Sequence, residues 1–149
     1  PAREIYLSLV VDRKNEKLAA LASPQGGVEI EELSKSSPQA IKKEYFCPER
    51  GLMSFQIRNL AYFLDLPEAT FKTFLDYLKS LSTFFLLKDM KLLEINPLIV
   101  KTDNQLVAAD IKMDFDDSGL ARQPEISSLE DWSGLSAEEK KPEALNLTM

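Results

Sequence analysis

Apolar and polar residues alternate along EIYLSLVV (4–11), and after the polar stretch 12–17 a second apolar run, LAALA, occupies 18–22. Period-two alternation on both sides of a short polar insert predicts a β-hairpin. Pro24, Gln25, Gly26 and Gly27 spell a turn, leading into VEIE (28–31), whose pattern fits either a short strand or the entry of a helix. Residues 34–37 read as loop, 41–46 as an edge strand, and 47–51, with Pro48 and Gly51, as a break.

The period then changes to that of a helix. Ser54 is placed as the N-cap of a helix running to about Leu64, with Ile57, Leu60, Ala61 and Leu64 on a stripe that faces the sheet. Pro67 sits at the first position of a second, longer amphipathic helix reaching to about Asp89, marked by Phe71, Phe74, Leu75, Leu78, Leu81 and Phe85. Aromatic residues at helical spacing, Phe84 and Phe85 included, read as core packing rather than as a cofactor box.

The segment 92–112 returns to strand pattern: LLEINPLIV, the polar turn KTDNQ, then LVAADIK. A turn centred near Asp103 puts Asn96 opposite Asp110 and Glu94 opposite Lys112. Strict alternation puts Glu94, Asn96 and Leu98 on one face and Ile95, Pro97 and Ile99 on the other. A carboxamide and a carboxylate brought together this way form an oxygen pair of the kind that holds Mg²⁺, a hard cation that leaves its remaining positions to water and substrate phosphates. The bland alternative is that Asn96 caps the turn before Pro97 while Asp110 pairs with Lys112 on a solvated sheet face.

Length and composition narrow the field without choosing within it. A chain of 149 residues with 44% hydrophobic and 28% charged residues suits one compact α+β domain, an antiparallel sheet with packed helices spanning 1–126, followed by a polar linker at 127–149. A formal charge of −6 with no basic stripe argues against nucleic acid. The most apolar run, 78–87, is interrupted by Lys79, Ser80, Ser82 and Thr83, so no membrane segment is expected. The single cysteine, Cys47, and the lack of a charged leader with an apolar stretch suit a cytoplasm-like compartment. Histidine is absent altogether, so any histidine chemistry must come from a partner. The weak end and an opening almost directly on a strand, without Met, are expected of a piece of a longer protein.

Asp114, Asp116, Ser118, Gly119 and Glu125 fall on positions 1, 3, 5, 6 and 12 of a calcium-loop pattern. The pattern requires a helix before the loop, and 106–113 reads as a strand, so a solvated turn, or charge lent to the Asn96 and Asp110 site, is the preferred reading.

LLEINPLIV, followed by VAADIKMDFDD and ARQPEI, resembles the β subunits of succinyl-CoA synthetases, also called succinate–CoA ligases. EIYLSLVVDR, ASPQGGVEIEEL and the two helices before Glu94 match that family in order and spacing. The resemblance implies the C-terminal subdomain of an ATP-grasp domain, with Asn96 and Asp110 as the Mg²⁺ ligands. It implies that Glu4 lies beside the nucleotide, although alone Glu4 reads equally as a solvated strand end, and that Glu94 meets a phosphohistidine on an α subunit. It leaves Gly26 and Gly27 as support for the nucleotide site or a subunit contact, not as ligands.

The activity so implied is the reversible conversion of ATP or GTP, succinate and CoA to succinyl-CoA, nucleoside diphosphate and phosphate, a step of the tricarboxylic acid cycle, in the cytoplasm or, in a eukaryote, the mitochondrial matrix. Malate is the alternative acid, and a non-catalytic cation-binding or subunit-assembly module the alternative class. Two departures stand out: Ile111 replaces a small residue, with the expectation of crowding the metal strand, and Ala121 replaces an aromatic. The nucleotide-holding lysine and glycine-rich loop of the other ATP-grasp half, and a later CoA-ligase-type domain, lie outside this sequence, so the fragment alone is expected to be inactive.

Overall fold

The computed structural model describes residues 2–129. The chain divides into two compact units, the first ending at Asp117 and the second beginning at Ser118. From residue 130 onward the expected polar linker lies outside the described residues.

In the first unit the predicted hairpin forms from β1 (Arg3–Asp12) and β2 (Lys17–Ser23), with Asp12 opposite Lys17. The next strand, β3 (Lys42–Phe46), pairs antiparallel with β2 and forms an edge, as expected. On the other side of β1 lies the antiparallel β4 (Met90–Val100), whose far flank carries β5 (Leu106–Ala108) and β6 (Ile111–Phe115). Every long-range pairing in this sheet is antiparallel.

Between β2 and β3 the chain forms α1 (Ile30–Ser36), which settles 28–31 as a helix entry and corrects the loop expected at 34–37. Glu31 and Glu32 in its first turn and Lys35 in its last complement the helix dipole, a charge order that the strand-like alternation masked. The helix α2 (Ser54–Phe63) begins one residue earlier than a Ser54 cap requires. Met53 is the N-cap, and its N–H donates to the Gln56 side chain at 3.0 Å. Gln56 in turn donates to the Tyr45 carbonyl, so this buried amide is satisfied at both ends and ties α2 to β3. Pro67 precedes a 3-10 turn at Glu68–Thr70 rather than opening α3 (Phe71–Leu87) directly.

The first stripe faces the sheet as predicted, and the second packs into the same core. Ile57, Leu60, Ala61 and Leu64 from α2, with Phe74, Leu78 and Phe85 from α3, pack in one core with Ile5, Leu7, Leu9, Leu93 and Ile95. Phe84 departs from the expectation and stands 39% exposed, because one helical step of about 100° turns it away from the side that Phe85 fills.

The strict alternation expected for β4 also fails. Leu98 is fully buried in the same core as Ile95, not on the face of Glu94. The register explains it: Ile5 pairs with Leu98 and Leu7 with Ile95, leaving Asn96 and Pro97, joined by a cis peptide bond, opposite Tyr6 alone. This β-bulge moves the side-chain phase of β4 by one residue at Asn96. The second unit contributes a 3-10 turn ending at Arg122 and α4 (Pro124–Ser127). Among the described residues no helix is long and apolar enough to cross a membrane.

Candidate functional site

The pairing of β4 with β5 and β6 follows the register predicted from the turn: Leu98 faces Ala108, Glu94 faces Lys112, and the Asn96 N–H donates to the Asp110 carbonyl at 3.2 Å. Asp110 falls in the break between β5 and β6, where its side chain is exposed. Glu94, Asn96, Asp110 and Lys112 line one pocket of about 330 Å³, closed on its other side by residues 27–31. Ile111 pairs with Ile95, on the opposite face, and is 47% exposed, so it does not crowd the pocket.

Each expected site residue is held by identifiable elements. Arg3 donates to the Leu64 carbonyl at 2.6 Å and to that of Asp65, fastening the start of β1 to the end of α2 and so placing Glu4. Gly26 donates its N–H to the Glu4 carbonyl at 3.2 Å, and a Cβ on Gly27 would lie 3.4 Å from Glu4 Oε2. Glu4 therefore borders the same glycine turn that reaches Asn96. There Asn96 Oδ1 accepts from the Gly27 N–H at 2.7 Å, and Asn96 Nδ2 donates to the Val28 carbonyl at 2.9 Å. Asn96 thus fastens a neighbouring loop rather than capping its own turn, and no ion pair joins Asp110 to Lys112 among the described residues.

Two residues of this face were not singled out from the sequence. Tyr6, only 2% exposed, donates its hydroxyl to Glu94 Oε2 at 3.1 Å. Burial, opposed by the Ser8 hydroxyl and reinforced by the negative charge of Glu94, pushes the phenol well above its usual range, so it stays protonated and acts as a donor. Ser8 opposes Glu94 in the β1–β4 ladder and is fully buried; its Oγ makes no hydrogen bond of good geometry among the described residues, and its polar neighbour is the Tyr6 side chain. Both line a second cavity of about 530 Å³, shared with α1, that adjoins the first through Ile30, Glu31, Glu94 and Lys112. The available signal was the alternation of β1, which puts Glu4, Tyr6 and Ser8 on one face.

Asn96 and Asp110 fit a hard divalent cation by donor chemistry. Both offer oxygen, Asn96 Oδ1 keeps a lone pair beyond the one used by Gly27, and the Asp110 carboxylate has no side-chain partner among the described residues. No three His, Cys, Asp or Glu side chains gather into a metal cluster among the described residues. The strand and the ion pairs tell against the calcium loop: Asp114 lies in β6, preceded by strand rather than helix, and Lys91 pairs with it at 3.4 Å and with Asp117 at 3.5 Å.

The profile of the ATP-grasp domain matches residues 2–100. The chain belongs to the ATP-grasp family. Its antiparallel sheet with packed helices is the fold expected from the sequence. This ATP-grasp chain is 41% identical over 146 residues to the β subunit of an ADP-forming succinate–CoA ligase from Thiobacillus denitrificans, covering 98% of this chain and 38% of that protein. It is 44% identical over 138 residues to the corresponding subunit from Methylobacillus flagellatus, covering 93% of this chain and 36% of the relative. The chain therefore spans under two-fifths of the length of these relatives. Among solved structures, an ATP citrate lyase from Methanothrix soehngenii, in complex with citrate and coenzyme A, superposes with a TM-score of 0.68 over 97% of this chain and 33% of its own. At 17% identity that likeness speaks for the ATP-grasp fold alone.

Proposed function

We propose that this chain is the nucleotide- and cation-binding part of a succinate–CoA ligase β subunit, acting with an α subunit that carries CoA and a phosphorylated histidine. The observation that carries the reading is the apposition of Asn96 and Asp110 across β4 and the β5–β6 break, in a polar pocket that also holds Glu94. Asn96 Oδ1 and the Asp110 carboxylate would hold Mg²⁺, which when bound would supply charge neutralisation to the transferring phosphoryl group.

The remaining work falls to the chain's own side chains. Glu4 borders the nucleotide at the glycine turn. Glu94 accepts the N–H of the incoming histidine and holds it in line, with Tyr6 fixing the carboxylate's orientation. In this reading the acceptor histidine belongs to the α subunit, in keeping with the lack of histidine in these 149 residues. This division suits the reversible formation of succinyl-CoA from succinate, CoA and ATP or GTP.

The test is CoA-dependent nucleotide consumption by the full-length chain assembled with its α partner, comparing succinate with malate and ATP with GTP. Turnover on succinate is the expected result. Turnover on malate alone would change the substrate and keep the ligase. Silence on every combination, with Mn²⁺ still bound in an Asp110-dependent manner, would leave a cation-binding or assembly module instead.

A further inference from the structure

Asn96 is a curious ligand for a divalent cation, since an aspartate there would add a full charge to the attraction. The hydrogen bonds explain the amide. The Val28 carbonyl needs a donor and the Gly27 N–H an acceptor, and the Asn96 side chain supplies both, at 2.9 and 2.7 Å. A carboxylate satisfies only the second and sets oxygen against oxygen at the first. The same two partners fix which end of the amide is oxygen.

The loop that presents Gly27 and Val28 is itself fastened. Gly26 donates to the Glu4 carbonyl at 3.2 Å, and a Cβ on Gly26 would lie 2.8 Å from both the Glu4 carbonyl carbon and the Ile5 nitrogen. Any side chain at 26 must push the turn off β1. Gly27 takes φ +71°, in the left-handed region that favours glycine, so its N–H can turn toward β4. The turn is thereby pinned to β1 by Gly26 and to β4 by Asn96, across the bulge where Asn96 changes the phase of its strand.

We propose that the Gly26–Val28 turn is the positioning element of the cation site: it locks the Asn96 amide so that Oδ1 keeps its second lone pair on the pocket, and Gly26 is the residue that lets it do so. The proposal rests on the reading of Asn96 as a ligand. Locking removes rotamer freedom before the cation arrives, and by thermodynamic reciprocity a cation that gains from the locked turn must stabilise that turn by the same factor.

The experiment uses the full-length chain with its α partner. Mn²⁺ affinity is read by electron paramagnetic resonance for wild type, Gly26→Ala and Asp110→Ala, and backbone hydrogen exchange over residues 24–29 is read by mass spectrometry with and without saturating Mg²⁺. Gly26→Ala changes no ligand and is expected to weaken Mn²⁺ about tenfold, while Mg²⁺ slows wild-type exchange in the turn by about the same factor. Asp110→Ala should remove both effects. Exchange in the wild-type turn that ignores Mg²⁺ overturns the proposal whether or not Gly26→Ala folds, and so does a folded Gly26→Ala with wild-type Mn²⁺ affinity. In either case an Asp110-dependent Mn²⁺ signal leaves the cation site standing. Wild-type affinity in Asp110→Ala removes the site itself, and the proposal with it.

Discussion

Ile5, Leu7 and Leu9 on one face of β1 are at most 1% exposed, and Tyr6 and Ser8 on the other are at most 2% exposed, yet only the first set is apolar. The helix-covered face is an ordinary core: apolar area removed from water stabilises it, and residue identity matters mainly through volume and shape. The opposite face buries polar groups, which costs free energy unless they find partners. Tyr6 finds Glu94, whereas Ser8 has the Tyr6 side chain as its polar neighbour but no hydrogen bond of good geometry among the described residues. Burial without an apolar rationale, beside two adjoining cavities, is what separates the polar face of β1 from the helix-covered one.

If that separation is real, a mutation on each face should move one property and spare the other. Asp110→Ala should lower Mg-nucleotide-dependent turnover in the assembled enzyme by about a hundredfold or more, because it removes the only charged member of the proposed ligand pair. Its thermal melt should hardly move, since Asp110 is exposed and unpaired among the described residues. Phe74→Ala should do the reverse. Phe74 is fully buried in α3, and its removal should cost about 3–5 kcal/mol through the cavity left behind, with no selective loss of turnover in the fraction that stays folded. Turnover surviving Asp110→Ala, or a melt indifferent to Phe74→Ala, would break the comparison.

The two faces were also unequally legible. The apolar face follows from periodicity: the stripes of α2 and α3 and the odd positions of β1 are where alternation and helical spacing put them. The register of the 92–112 hairpin was equally readable, because a short polar turn leaves few ways to pair its arms, and it brought Asn96 to Asp110 and Glu94 to Lys112. The phase slip at Asn96 was not readable, since a bulge is a relation between two strands and Leu98 looks the same on either face. Nor was the contact between Asn96 and the glycine turn, which joins residues 69 and 68 positions apart. Charge order in 30–36 could have revealed α1, had the acids of its first turn been weighed above the strand-like alternation.

A smaller effect probes the polar face alone. Tyr6→Phe keeps the ring that fills the space under Glu94 and removes only the hydroxyl that holds it. A hydrogen bond to a charged group contributes about 1.5–3 kcal/mol, so the melt should fall by a few degrees, less than for Phe74→Ala, while turnover of the fraction that stays folded should fall by about tenfold. The loss should appear in kcat rather than in nucleotide KM, because Glu94 is assigned to the incoming histidine. A loss of stability without a kinetic effect would return Tyr6 to the core set.

The smallest effect asks whether every acid cluster on the sheet is chemical. Asp12, at the hairpin end of β1, is held on all sides: Asn15 donates to it through backbone and side chain, Lys43 approaches to 3.0 Å and Tyr45 donates its hydroxyl at 3.1 Å. These donors, Asn15 foremost and then Lys43, hold its carboxyl well below the ordinary 3.8, and Asp12 in turn raises Lys43. A carboxyl lowered on folding contributes stability that is present above its ordinary pKa and is lost as pH falls below 3.8. The raised Lys43 has the opposite sign: its share is present below 10.5 and is lost as pH rises above it. Asp12→Asn should therefore lower the melting temperature slightly at neutral pH, with the gap to wild type closing in acid, and should leave turnover alone. The Lys43 partner is 38% exposed, so solvent screening keeps the gap small. A gap that persists in acid would assign the effect to shape rather than charge, whereas closure without a kinetic change would set this internally satisfied acid apart from Asp110, which has no side-chain partner among the described residues.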